Sequence, residues 1–210
     1  IPNLVIHDRA HNFYVFSLGR KFRFIQQLGE GLNGCGTFAD LDEDGDLEFI
    51  DYEGYSSFAR CNAETPMAKV ILHYENGSYR PATDLMRQPP PDPDALREQI
   101  EEIKSLRWRA RINPYHYFKS LLDYNPDDKD VRAKVEEFED EKDDYNPEEP
   151  YEYYALILDL LYTGNIEEAQ QVAREAVPDD YNGDQAGFDA IMQEVGDSAY
   201  RDAVYELNHL

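Results

Sequence analysis

The sequence has little positive charge and no long apolar run. Its 210 residues include 20 Lys and Arg against 44 Asp and Glu, for a formal net charge of −24 at pH 7. Nucleic acids and anionic membrane surfaces are polyanions, and their binding requires clusters of Lys and Arg. No run of about 18 apolar residues occurs. We therefore expect no nucleic-acid partner and no membrane span, and we expect a cationic protein partner.

Recognisable catalytic motifs are also missing. The sequence contains no nucleophile elbow, no zinc-binding helix motif, no phosphate-binding loop and no dinucleotide-binding fingerprint. Carboxylates are so frequent that no pair stands out for acid–base catalysis. We therefore expect a non-catalytic protein. Because an active site can assemble from residues far apart in the chain, a calcium-dependent hydrolase with an unrecognised active site is the alternative.

Acidic residues at alternate positions distinguish the stretch 40–51. Alternate residues of a tight loop can direct their oxygens to one point, and Ca²⁺ takes about six to eight oxygen ligands. Gly45 permits the sharp turn that such a loop needs. Asp51 is the alternative to Glu48 as the last ligand, and a solvated acidic turn is the alternative to a metal site. The expected Ca²⁺ ligands are four side chains and the carbonyl of the fourth aspartate: Asp40, Asp42, Asp44, Asp46 and Glu48.

The segments around this loop do not fit the two helices of an EF-hand. Gly29–Gly36 contains four glycines, which prevent a stable helix, and Leu47–Tyr52 is rich in β-branched and aromatic residues. The loop therefore lies between extended segments. The order of an apolar residue, alternating aspartates, a glycine and a short strand resembles the FG-GAP or VCBS type of repeat. A single copy covers about residues 37–82. The matching residues are Phe38, Asp40, Asp42, Asp44, Gly45 and Glu48.

This resemblance implies calcium as a structural ion and a binding role outside the cytoplasm. Proteins of those families usually form multi-bladed propellers from many copies of the repeat. The single copy in this chain cannot provide a propeller. The resemblance therefore bears on the loop and not on the whole fold.

Two cysteines, Cys35 and Cys61, bracket the acidic loop. A bridge between them would close about 27 residues and contribute about 3.5 kcal/mol in the chain-entropy model. Two buried free thiols are the alternative, and no further Cys or His pair has the spacing of a zinc site. Because disulfides and millimolar calcium occur together outside the cytoplasm, we expect a disulfide in a periplasmic or secreted protein. The first residue is Ile1, which fits a cleaved signal peptide or a trimmed sequence equally.

The first part of the chain predicts a small antiparallel β domain containing the calcium loop. We expect about five strands between residues 11 and 82. Asn76 and Gly77 predict a tight hairpin turn. The proline-rich run 88–93 fits neither a strand nor a helix, so we divide the chain into a β-rich domain, 1–88, and a helical domain, 89–210. Aromatic and β-branched residues mark three of the strands: 13–16, 22–25 and 70–74.

The helical domain shows apolar residues at helical spacing and repeated start signals. Together with the β domain it makes an α+β fold with about six or seven helices. Asp92 caps the first helix and Pro93 takes its first position. The same signal recurs at three later pairs, in which Asn is the predicted cap: Asn113-Pro114, Asn125-Pro126 and Asn146-Pro147.

A helical hairpin is predicted around Leu161–Ala169. Gly164 ends one helix, Asn165 caps the next, and Glu168 completes a capping box. This stretch is weakly similar to the turn of a tetratricopeptide-like hairpin. No 34-residue period surrounds it, so the resemblance covers one turn only.

Negative charge is concentrated in residues 127–152, which hold 13 acidic and 4 basic residues. Tyrosines beside carboxylates are frequent in contact surfaces, and four of them occur in or next to this segment. A solvated helix face is the alternative. We expect a protein-interaction module, in its sharper form an inhibitor or immunity-type protein that masks a basic effector. The four tyrosines are Tyr145, Tyr151, Tyr153 and Tyr154.

Overall fold

The computed structural model describes nine stretches of the chain: residues 3–7, 12–18, 20–29, 36–58, 65–106, 114–126, 128–139, 150–178 and 187–210. Two antiparallel sheets come first and helices follow, so the predicted α+β fold is confirmed. Cys35 and Cys61 lie outside the described residues, and the disulfide stays a prediction. The predicted caps at Asn113 and Asn146 and the contact role of Tyr145 also fall outside them.

Each sheet is an antiparallel meander in which every strand pairs with its neighbour in the chain. The first sheet has the strand order β1-β2-β3 and the second has the order β4-β5-β6-β7. The sequence prediction missed β1, whose residues do not alternate between apolar and polar. The strands are β1 (Asn3–His7), β2 (Phe13–Ser17), β3 (Arg23–Leu28), β4 (Thr37–Ala39), β5 (Glu48–Gly54), β6 (Met67–Glu75) and β7 (Ser78–Pro81).

The predicted tight turn between β6 and β7 is confirmed. Asn76 and Gly77 have φ angles of 52° and 93°, in the left-handed region that a type I′ hairpin turn requires at both central positions. Glu75 and Ser78 form the last pair of the hairpin. The turn therefore sets the register of the edge strand β7.

Three aromatic rings join the two sheets. The ring of Phe13 on β2 lies 5.9 Å from that of Phe38 on β4 and 5.0 Å from that of Phe49 on β5, both edge to face. Phe49 is fully buried. A side chain at Gly36 would overlap the Phe49 ring, so this position needs glycine. The packing of the two sheets therefore depends on Phe49 and on the space around it.

Seven helices follow residue 89 in the described part of the chain, and a short helix precedes it. The proline-rich connector has no regular structure, as predicted. None of the described helices is both long and apolar enough to span a membrane. The helices are α1 (Thr83–Met86), α2 (Pro93–Ser105), α3 (Pro114–Tyr124), α4 (Lys129–Glu137), α5 (Tyr151–Tyr162), α6 (Ile166–Glu175), α7 (Phe188–Asp197) and α8 (Arg201–Leu207).

One predicted cap is confirmed and another is wrong. The carboxylate of Asp92 accepts hydrogen bonds from the first turn of α2, with Pro93 at the first position. The prediction that Asn125 caps α4 is wrong, because α4 begins at Lys129 and Asp128 caps it. Asp128 accepts from two N–H groups of the first turn, whereas Asn125 lies in the preceding turn. An ionised carboxylate is a stronger acceptor for these N–H groups than an amide is.

The α5–α6 hairpin forms as predicted, but its capping box does not. Gly164 has φ 83° and ends α5, and Asn165 precedes α6. The side chain of Asn165 is buried and makes no cap hydrogen bond. Its amide nitrogen donates instead to both oxygens of Thr163. Asn165 therefore stabilises the turn before α6 rather than the first turn of the helix.

The buried residues of both sheets and of the helices form one contiguous cluster. Val70 and Leu72 of β6 belong to it together with Ile157 and Leu161 of α5. Tyr153 and Tyr154 are 1% and 4% exposed and belong to the same cluster, so the prediction that they form a contact surface is wrong. Their register on α5 directs them to the core. The division at residue 88 stays a prediction.

A cluster of hydroxyl groups around Glu53 connects β5 to the helices. Its Oε2 atom accepts a bond from Ser198 at 2.7 Å, one from Tyr55 at 3.3 Å and a short bond from Tyr162. The two phenol oxygens lie 2.5 Å apart. Burial raises the pKa of both phenols far above the usual range, and the nearby acidic groups raise it further.

Truncation of Phe49 should be strongly destabilising. Phe49→Ala removes a fully buried ring that contacts Phe13 and Phe38, and such changes cost about 3–5 kcal/mol. Urea unfolding followed by circular dichroism measures the change. Phe22→Ala is a control because its ring is 63% exposed, and it should cost much less. Equal losses in the two variants would contradict the assigned core.

Tyr162 should make the protein sensitive to alkali. Its pKa is raised in the folded state, whereas the phenol of the unfolded chain ionises at about pH 10. The free energy of unfolding therefore keeps the full contribution of Tyr162 below about pH 10 and falls as the pH rises further. Tyr162→Phe removes this ionisation and costs about 1.5–3 kcal/mol at pH 8 through the lost hydrogen bonds. Urea unfolding at pH 8 and at about pH 10.5 should show a smaller alkaline loss in the variant than in the parent. Identical losses would refute this role.

Candidate metal centre

The predicted calcium loop connects β4 to β5 and turns sharply at two residues. Glu43 and Gly45 have φ angles of 62° and 92°, both left-handed. Residues 40–47 are exposed, and Glu48 begins β5 and is buried. The loop therefore projects from the sheet while its last carboxylate lies within it.

Backbone N–H groups of the loop donate to its own carboxylates. Gly45 donates to Asp40 Oδ2 at 3.2 Å, and Asp44 donates to Asp42 Oδ1 at 3.2 Å. The backbone of Leu41 donates to Glu48 Oε2 at 2.8 Å. These bonds curl the loop and fix three carboxylates with one oxygen each. The second oxygen of each carboxylate accepts no hydrogen bond from the described residues.

Three of the five predicted ligands converge. Each of Asp40, Asp42 and Glu48 places a carboxylate oxygen within 4.8 Å of those of the other two. Two oxygens that bind one Ca²⁺ at about 2.3–2.6 Å can be as far as about 5 Å apart, so this spacing fits a common ion. Carboxylate donors favour hard cations over zinc or copper, which prefer nitrogen and sulfur. The group can therefore hold a metal ion.

The other predicted ligands lie outside this group. Asp44 Oδ1 accepts a hydrogen bond from the backbone of Asp46 at 2.8 Å, and both residues are exposed. Asp51, the alternative to Glu48, is buried on β5, where its Oδ2 accepts a hydrogen bond from Tyr200 at 2.8 Å. Side chains three positions apart on a strand point to opposite faces. Strand geometry therefore groups Glu48, and not Asp51, with the loop aspartates.

The sequence prediction missed a second acidic feature on β5. Asp51 and Glu53 both line a cleft, and hydroxyl groups from the C-terminal part of the chain donate to both. Their alternation with Ile50 and Tyr52 in the strand is the one local signal. Their partners, Ser198 and Tyr200, are about 145 residues away in the sequence, and no periodicity reveals such a contact.

Neutralising a converging carboxylate should abolish stabilisation by the metal ion. A ligand at ten times its Kd raises the free energy of unfolding by about 1.4 kcal/mol. With millimolar CaCl₂ the melting temperature of the parent should rise, and Glu48→Gln and Asp42→Asn should remove most of this rise. Asp46→Asn is the control, because it makes the same charge change outside the group. A full rise in Asp42→Asn would refute the assigned ligands.

Comparisons with family models, with curated proteins and with solved structures find no match for this chain. The resemblance of the loop to FG-GAP or VCBS repeats, and that of the α5–α6 turn to tetratricopeptide-like hairpins, therefore stay predictions. Function has to be inferred from the charge and geometry of the described residues.

Proposed function

We propose that the protein is a calcium-binding, non-catalytic interaction module that binds a cationic protein surface outside the cytoplasm. The observation that carries this proposal is the location of the negative charge. Of the acidic side chains that the structure describes, only Glu48 and Asp51 are buried. The negative charge of the described residues therefore lies almost entirely on the surface, in a chain whose net charge is −24.

A surface of this kind favours cationic partners kinetically and disfavours polyanions. Complementary charge steers diffusional encounter and raises association rates by about 10–10³-fold at low salt. Nucleic acid and anionic lipid are repelled by the same field. The partner class that fits is a protein with a basic surface. One example is a basic effector, which this chain would inhibit in the way that an immunity-type protein does.

Calcium is the proposed ion of the metal centre. An exposed loop with three converging carboxylates leaves room for water and carbonyl ligands, which the flexible coordination of Ca²⁺ accepts. Mg²⁺ demands stricter octahedral geometry at shorter distances. Extracellular calcium modules bind at about 10⁻⁴–10⁻³ M, a concentration range met outside the cytoplasm. The proposed location therefore follows from the proposed ion.

The proposed contact surface lies at the C-terminal end of α4. Within α4 itself three acidic and three basic residues balance, and Lys134 pairs with Glu137 at 2.6 Å. Most of the acidic excess of residues 127–152 follows this helix in the sequence. At its C-terminal end Glu136, Glu137 and Glu139 are exposed. This end of α4 is the acidic helical surface that we assign to the partner.

Charge reversal at this surface should slow association with the partner. The binding protein is first isolated from the secreted or periplasmic fraction of the source cells, and association rates are then measured by stopped flow. Replacing the three glutamates by Lys should slow association at least tenfold at 0.1 M salt and have little effect at 1 M. The Debye length falls from about 10 Å to about 3 Å between these concentrations.

A matched variant separates a local surface from a general charge effect. Reversal of Glu98, Glu101 and Glu102 on α2 changes the net charge equally, and all three side chains are exposed. This variant should associate nearly as fast as the parent. Equal slowing in the two variants would contradict a localised contact, and no slowing in either would refute electrostatic recognition. Circular dichroism confirms that both variants fold.

A further inference from the structure

A cleft lies between the two sheets and the turn that joins α7 to α8. Residues of β3, β5 and β7 line it, together with Ala199 and Tyr200 of the turn. Its volume is about 630 Å³, within the range of about 300–1,000 Å³ that is usual for ligand sites. The converging carboxylates of the metal centre do not line it. The cleft is therefore a separate site.

Two carboxylates without a cation mark this cleft. Asp51 and Glu53 line it, and no Lys, Arg or His is among the lining residues that the structure describes. Neither carboxylate forms an ion pair within the described part of the chain. Asp51 is only 5% exposed. Acidic side chains at this depth are rarely found without a charged partner.

Hydrogen bonds hold both carboxylates in fixed positions. Asp51 accepts one bond on each oxygen, from Tyr200 O–H and from the backbone of Tyr52. Glu53 accepts all its hydrogen bonds on Oε2. The other oxygen of Glu53, Oε1, accepts no hydrogen bond within the described part of the chain. Among the described residues, Asn208 Oδ1 is the one buried side-chain atom that has no hydrogen-bond partner. Oε1 of Glu53 is therefore accessible rather than buried. Glu53 therefore keeps an acceptor for a ligand.

The other walls suit an aliphatic chain that carries a cation. Leu72 and Pro81 provide apolar surface for methylene groups, as the stems of Lys and Arg require. Two tyrosines, Tyr79 and Tyr200, also line the cleft, and the faces of aromatic rings attract cations. Gln26 contributes an amide, whose Oε1 accepts from the backbone of Tyr79 at 2.9 Å and joins the two sheets across the cleft.

We propose that this cleft binds an ammonium or guanidinium group on an aliphatic chain, with Asp51 and Glu53 as its counter-ions. Such a cation belongs either to a Lys or Arg side chain of a protein or to a free polyamine. The two carboxylates occupy alternate positions on β5, so they face the same side at a separation of about 7 Å. The proposal does not depend on the acidic surface at the end of α4.

Calorimetric titration of the full chain tests the proposal. The probes are spermidine, capped lysine, capped arginine and capped norleucine, in a buffer with excess CaCl₂ that occupies the metal centre. One cationic probe should bind at one site and norleucine should not. Tighter binding of a capped amino acid identifies a protein side chain as the source, and tighter binding of spermidine identifies a free amine. Binding of norleucine as tightly as lysine, or no binding by any cation, would overturn the proposal.

Two pairs of variants locate the binding. Asp51→Asn with Glu53→Gln should weaken the cation at least tenfold, whereas Glu98→Gln with Glu101→Gln on α2 should leave it unchanged. Equal effects of the two pairs would overturn the assignment to the cleft.

A further pair keeps the test decisive if the first double variant does not fold. Ala199 is exposed where it lines the cleft. Ala199→Arg supplies a tethered guanidinium and should abolish binding, whereas Ala199→Gln adds similar bulk without charge and should bind within about threefold of the parent. Equal affinities in these two variants would overturn the proposal.

Discussion

The connection between sheet and helices depends on the carboxylate of Glu53. Three hydroxyl groups converge on one of its oxygens, from Tyr55 near the end of β5, from Tyr162 at the end of α5 and from Ser198 after α7. Hydrogen bonds to a charged acceptor are stronger than those between neutral groups. Apolar packing brings the second sheet and α5 together through β6. Such packing is not directional, whereas the hydrogen bonds at Glu53 are, so they favour one arrangement of the sheet and the helix. The turn between α7 and α8, which lines the cleft, is held by one of these bonds through Ser198.

Nearly all the acidic side chains that the structure describes lie on the surface, where negative charge is compatible with a stable fold. Like charges at the surface repel one another through water, and the cost is moderated by salt. A buried carboxylate without partners costs far more. The structure is consistent with this difference, because Glu48 and Asp51, the two acidic side chains that are buried in the described part of the chain, both accept hydrogen bonds. A cation bound at the metal centre or in the cleft would reduce the repulsion among the carboxylates.

Local signals account for the features that the sequence predicted well. The Asn76-Gly77 turn and the Asp92 cap with Pro93 each involve a few consecutive residues. The same holds for Asp40 and Asp42, the two of the four predicted loop aspartates that converge with Glu48. Competition among nearby groups accounts for the wrong caps. At α4, the sequence offers both Asn125 and Asp128 as caps, and the charged acceptor prevails. At α6, Thr163 takes the amide of Asn165 before it can cap.

Contacts between distant parts of the chain account for what could not be predicted. Tyr153 and Tyr154 sit beside an acidic segment in the sequence, and this proximity predicted exposure. Their burial depends on which face of α5 meets the core, and residues far from them decide that. The cleft was missed for the same reason, since its two carboxylates come from one strand and two other lining residues, Ala199 and Tyr200, come from the turn between α7 and α8. The sequence pattern identifies the acidic residues of β5, but it does not say which of them belong to the metal centre and which to the cleft.

Strand geometry separates the two acidic sites of β5. Glu48 differs from Asp51 and Glu53 by an odd number of positions, so its side chain lies on the opposite face. The strand therefore contributes one carboxylate to the loop on one side and two to the cleft on the other. Insertion of a single residue between Glu48 and Asp51 would reverse this relation and direct all three carboxylates to the same face. An uninterrupted β5, pinned at Ala39 and at Val70 by its neighbours, is thus what keeps a metal centre and a cation cleft distinct.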